Sequence, residues 1–161
     1  MKLLTVVAPG GEEARRAVSV ALGAWTRGLD IRLRFLNIGF EERVVVLEAT
    51  KGPGEPAAAA LLASERAIDR EKPAVVLLHG GGPAALAAAV SAAKAGVPVV
   101  RTAAGDRRGP GADEERAADR LATVRLAPEE ALAALRDEGL DGEPFTPEAA
   151  VRAALRIQRE A

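Results

Sequence analysis

The chain contains no cysteine, which excludes disulfides, thiolate chemistry and cysteine-based metal sites and agrees with a cytosolic location. It has a single histidine, His79, so a multi-histidine metal site is excluded and a serine–histidine–acid triad would have only that residue to use. No metal ligand set is expected. No run of about 18 or more apolar residues is present, so no helix is expected to span a membrane. The formal charge of −1 leaves no basic field to hold a nucleic-acid backbone. Neither of the two glycine clusters, Gly10-Gly11 and Gly80-Gly81-Gly82, matches the dinucleotide fingerprint or the P-loop. NAD and ATP are therefore unsupported, and no cofactor is expected.

What is present is a globular composition. The 161 residues are 48% apolar, enough to build a core at about the size of one domain. Short apolar runs alternate with helical periodicity almost throughout. Leu3 to Ala8 reads as a buried first strand, because Gly10-Gly11-Glu12-Glu13 cuts the run before a secretory leader could form. Ala14, Ala17, Val18, Ala21, Leu22 and Trp25 make one apolar helical stripe, with Trp25 a core or dimer-contact residue. Ile31, Leu33 and Phe35 alternate with arginines, as in a strand near a sheet edge. Further strands are expected over 43–49, 74–78, 97–100 and 123–126, and helices over 56–70, 83–96, 114–121, 128–139 and from Thr146-Pro147 onward. This order predicts an α/β fold: a Rossmann-like, three-layer αβα arrangement with a mainly parallel sheet and right-handed crossovers. One domain is expected over 1–161, with a core to about 145 and a terminal helix over 146–161 packing back on it.

In open α/β sheets, ligands bind at the carboxyl ends of the strands. Three loops converge there: Pro9 to Glu12, His79 to Pro83, and Thr102 to Arg108. Gly10, Gly11, Gly80, Gly81 and Gly82 are candidate ligand contacts, since glycines let backbone N–H groups approach an anion. They also read as simple tight turns. Gly105 and Arg107 join them on the third loop. Arg101, Arg107 and Arg108 suit phosphate, although solvent exposure is the default for arginines. His79 is either an acid–base group or a structural residue at a strand end. Asp113-Glu114-Glu115 is either the seat of a general base, with Glu115 the candidate, or the acidic first turn of a helix.

The stretch from Lys72 to Gly139 resembles the N-terminal domain of the non-hydrolysing UDP-N-acetylglucosamine 2-epimerases. The resemblance is carried by Lys72-Pro73, Leu86-Ala87-Ala88-Ala89, Val97-Pro98-Val99, Ala104-Gly105-Asp106-Arg107, Asp119-Arg120-Leu121-Ala122 and Ala127-Pro128-Glu129-Glu130, in shared order. It implies one Rossmann-like half of a two-domain fold of the glycosyltransferase B type, and a nucleotide sugar or other phosphate-bearing ligand. Several positions depart from the family's pattern. Its Gly-Asp-Thr-Thr loop is Gly80-Gly81-Gly82-Pro83 here, its Val-Glu-Ala-Gly glutamate is Ala103, and the arginine of its first loop is Gly11. Its Pro-Glu-Glu motif survives only as Glu114 or Glu115. Epimerisation at C2 needs carboxylates that move protons, which glycine and alanine cannot supply. The resemblance therefore implies an epimerase-related chain that does not epimerise alone and binds an anionic ligand at its glycine loops. The competing expectation is an interaction module, a homodimer or partner subunit that covers the open cleft.

Overall fold

The computed structural model describes residues 2–7, 41–46, 55–109 and 111–160. The expected helical stripe ending at Trp25, the expected strand at 31–35 and the candidate contacts Gly10 and Gly11 lie outside them. The described elements are β1 (Lys2–Val7), β2 (Glu41–Val46), α1 (Glu55–Glu71), β3 (Val75–His79), α2 (Gly82–Lys94), β4 (Val99–Arg101), α3 (Ala112–Leu121) and β5 (Val124–Ala127). A 3-10 turn over Glu129–Ala131, α4 (Leu132–Asp137), β6 (Glu143–Pro144) and α5 (Pro147–Glu160) complete them. The six strands form one sheet in the order β2-β1-β3-β4-β5-β6, every neighbouring pair parallel. The fold is thus α/β, and the described sheet is parallel throughout rather than mainly so. Among the described residues, no helix is long and apolar enough to cross a membrane.

The middle of the sheet follows from one sequence feature. Val75, Val76, Leu77 and Leu78 are all apolar and all buried. Successive side chains of a strand point to opposite faces, so such a run needs cover on both. Val76 and Leu78, with Val99, pack under alanines of α1, α2 and α3. Val75 and Leu77, with Val100, Val124 and Leu126, pack under Ala149, Ala150, Ala153, Ala154 and Ile157 of α5. These two apolar layers on either side of the strands make the three-layer arrangement.

Helix ends obey local chemistry. α1 stops at Glu71 because Lys72 turns left-handed, with φ of 46°, and Pro73 cannot continue a helix. The Lys72 N–H still donates to the Ile68 carbonyl at 2.8 Å. Over 128–139 the expected helix is broken: Pro128 leads a 3-10 turn, and α4 proper spans only six residues. β6, which no sequence signal announced, adds two residues beside β5, and the Phe145 N–H extends the pairing to the Ala127 carbonyl at 2.8 Å.

Strand order reverses between β1 and β3. The chain goes outward from β1 to β2, then crosses back through α1 and builds β3, β4, β5 and β6 on the other side. Open α/β sheets bind ligands at such a reversal, outside the carboxyl ends of the strands.

Candidate functional site

β3 ends in His79 at its carboxyl edge, and Gly80-Gly81 lead into α2. Gly80 and Gly82 have φ of 85° and 71°, a backbone open to glycine at little cost, so the triple glycine is in part a turn requirement. His79 is buried at 7% exposure. Its Nδ1 lies 2.5 Å from the Thr102 hydroxyl, which is itself 3.4 Å from the Leu78 carbonyl. Burial lowers the imidazole pKa to about 4, so the ring is neutral at pH 7 and a poor proton acceptor there.

β4 ends in Arg101. Of the two expectations for this arginine, a phosphate grip or, by default, exposure to solvent, the structure corrects the default: its side chain is fully buried. A buried guanidinium is costly unless opposite charges and hydrogen-bond acceptors surround it. α3 supplies them. Arg101 Nη1 donates to the Glu115 carbonyl at 3.0 Å and lies 3.0 Å from Asp119 Oδ1, while Nη2 pairs with Glu115 Oε2. Glu115 and Asp119 are four residues apart, hence on one face of the helix.

Both carboxylates also reach a loop. Glu115 Oε1 accepts the Gly82 N–H at 2.5 Å, closing the β3–α2 loop. Asp119 Oδ2 accepts the Gly105 N–H at 2.9 Å and the Arg107 Nη1 donor at 2.9 Å, closing the loop after β4. Arg107 grips Glu138 with Nε and Nη2 at 2.7 and 2.8 Å. That two-point contact holds the Glu138 carboxyl below the usual carboxylate range and raises the guanidinium pKa further. Arg116 adds a third bond to Glu138 at 3.0 Å. Arg108 stays exposed and pairs with Asp106.

The structure therefore divides the sequence candidates into two groups. Gly80, Gly81 and Gly82 sit between His79 and Glu115 at the first loop. Gly105 and Arg107 meet at the second, on Asp119. The acidic turn Asp113-Glu114-Glu115 is the first turn of α3, as one of the two readings had it, yet Glu115 is buried among loop donors. Sequence reasoning missed Asp119, Thr102 and Glu138 as members of the cluster, and named Arg101 without its carboxylate partners. The usable signal was the four-residue step from Glu115 to Asp119 on a helix beginning beside the glycine loop. Among the described residues, no group of three or more histidine, aspartate or glutamate side chains could hold a metal ion. Chemically, the arrangement offers carboxylate acceptors, a neutral imidazole and two backbone N–H groups, each of these N–H groups holding an internal carboxylate.

A family model described as UDP-N-acetylglucosamine 2-epimerase matches residues 29–145. No curated protein matches the chain. Among solved structures, the UDP-GlcNAc 2-epimerase of Methanocaldococcus jannaschii superposes with a TM-score of 0.65 at 23% identity, over 100% of this chain and 50% of that one. A structure of the same enzyme in complex with UDP-GlcNAc and UDP gives 0.70 at 20% identity, over 89% and 46%. The Neisseria meningitidis UDP-GlcNAc 2-epimerase bound to UDP-GlcNAc gives 0.64 at 22% identity, over 99% and 50%. At these identities the superpositions establish a shared fold. The chain spans about half the length of those epimerases.

Proposed function

Because the chain belongs to the UDP-N-acetylglucosamine 2-epimerase family, we propose that it binds a nucleotide sugar in the cytosol, at the carboxyl ends of β1, β3 and β4, and does not epimerise it by itself. Support for the binding half comes from the reversal of strand order between β1 and β3 and from relatives of the same fold crystallised with UDP-GlcNAc and UDP. The observation that carries the non-epimerising half is the state of Glu115. It is the acid in contact with the glycine run, and both of its oxygens are engaged, Oε1 by the Gly82 N–H and Oε2 by Arg101. The resemblance puts two of the family's carboxylates at Gly81 and Ala103, where no proton can be carried.

A thermal-shift titration tests binding. A ligand at about 100 times its Kd adds roughly 2.7 kcal/mol, a rise in Tm of about 5–10 °C for a chain of this size. UDP and UDP-GlcNAc should give it and adenosine nucleotides should not; no shift with any of them at millimolar concentration sinks the binding half. NMR of UDP-GlcNAc incubated with the chain should show no epimer. Turnover that disappears in His79→Ala would replace this reading with an enzyme built on His79 and Glu115.

One observation favours a second reading, an interaction module. The Gly82 and Gly105 N–H groups and the Arg107 guanidinium all hold internal carboxylates, so a ligand phosphate would have to displace them. Light scattering that finds a dimer, with no nucleotide shift, decides for a homo-oligomer or partner subunit.

A further inference from the structure

Two of the three glycines after β3 are explained by backbone conformation. Gly81 is not. Its φ of −139° and ψ of −167° are ordinary extended values that any residue adopts. It is also the residue immediately before α2, the N-cap, where serine, threonine, aspartate and asparagine are preferred because their side chains accept a free N–H of the first turn. Here the cap has no side chain, and α2 receives no side-chain cap from its own sequence.

Glu115 explains both facts. A Cβ placed on Gly81 would fall inside contact distance of Glu115 Oε1, and 2.8 and 3.1 Å from its Cδ and Oε2. The carboxylate from α3 thus fills the space of a side chain at 81, accepts the Gly82 N–H, the first of α2, and sets a negative charge at the start of the helix, where a capping acid at 81 would also set one. The carboxylate is the far end of a flexible chain and can swing away. Doing so breaks its bond to Gly82 and its ion pair with Arg101, which would then face Asp119 alone. We propose that Glu115 stands in for a side chain at position 81: the acid of the β3–α2 loop is carried by α3 and held there by Arg101, and only one carboxylate fits over the start of α2. This goes beyond the ligand reading and does not depend on it.

The test places an acid on the loop itself and reads stability by thermal denaturation. Gly81→Asp in the otherwise unchanged chain should lower Tm, since two carboxylates compete for one place. Glu115→Ala should lower it by roughly 5 °C or more. Adding Gly81→Asp to Glu115→Ala should recover at least half of that loss, while adding the neutral, equally sized Gly81→Asn should recover clearly less. A structural gap filled by any side chain would respond to both alike. If Glu115→Ala does not fold, the same pair is compared in Glu115→Gln, which keeps the shape and removes the charge; there Gly81→Asp should cost less than it does beside the native Glu115. The proposal is overturned if Gly81→Asp does not lower Tm in the native background, or if aspartate does no better than asparagine once Glu115 is replaced.

Discussion

The loops after β3 and β4 are closed by the same helix, one turn apart, and they differ in depth. At the first, Glu115 retains some solvent access and pairs with a single arginine. At the second, Asp119 is fully buried and stands between two, Arg101 and Arg107. The glycines differ too. Gly81 has an ordinary backbone and only the tip of a side chain in its way. Gly105 has φ of 83°, and a Cβ there would meet the Ala131 carbonyl oxygen at 2.6 Å. The same two-part device, a glycine N–H and an α3 carboxylate, is adjustable at the β3–α2 loop and locked one turn deeper. Adaptation of this site therefore belongs to the β3–α2 loop.

The sharpest way to break the contrast is Asp119→Ala. It leaves Arg101 and Arg107 short of a buried counter-charge and should cost about 3–5 kcal/mol in urea denaturation at pH 7, well above the loss in Glu115→Ala. Equal losses would mean that the two carboxylates are equivalent. Next comes the glycine comparison. Gly105→Ala combines a left-handed backbone with a collision against main chain and should cost about 3 kcal/mol, whereas Gly81→Ala displaces only a carboxylate and should cost about 1 kcal/mol. The remaining effect concerns pH and acts through His79, at the start of the first loop. Above the ordinary histidine pKa of 6.5, His79 is neutral folded and unfolded, and contributes no slope. As pH falls from 6.5 towards 4, the unfolded chain takes up a proton that the buried ring does not, so stability falls. Between pH 7 and 5 the loss should be about 2 kcal/mol. His79→Asn should remove that part of the slope, and an unchanged slope would show that another group causes it.

Much of the fold was legible because its central strand declares itself. Val75 to Leu78 have no polar face, which requires layers above and below, and the alternation of strands and helices does the rest. β6 was not legible: two residues, one of them Pro144, carry no alternation and no strand preference, and only pairing with β5 defines them. The site was legible by position and not by partnership. Sequence order placed His79, Gly80 to Gly82 and Gly105 at the carboxyl edge. The burial of Arg101 depends on carboxylates from a helix that follows it by 14 residues and more, and no local window reports such long-range neutralisation. The general habit of arginines to face water pointed the wrong way.

α3 has a mechanical consequence. Because Glu115 and Asp119 ride on one rigid helical face, it works as a single bolt through two latches. A rotation of α3 by one residue, about 100°, would withdraw both carboxylates together, and a small slide along its axis would loosen both at once. The two loops are geared to each other, so loosening the β3–α2 loop would be felt at the far end of the cluster, where Arg107 and Arg116 share Glu138.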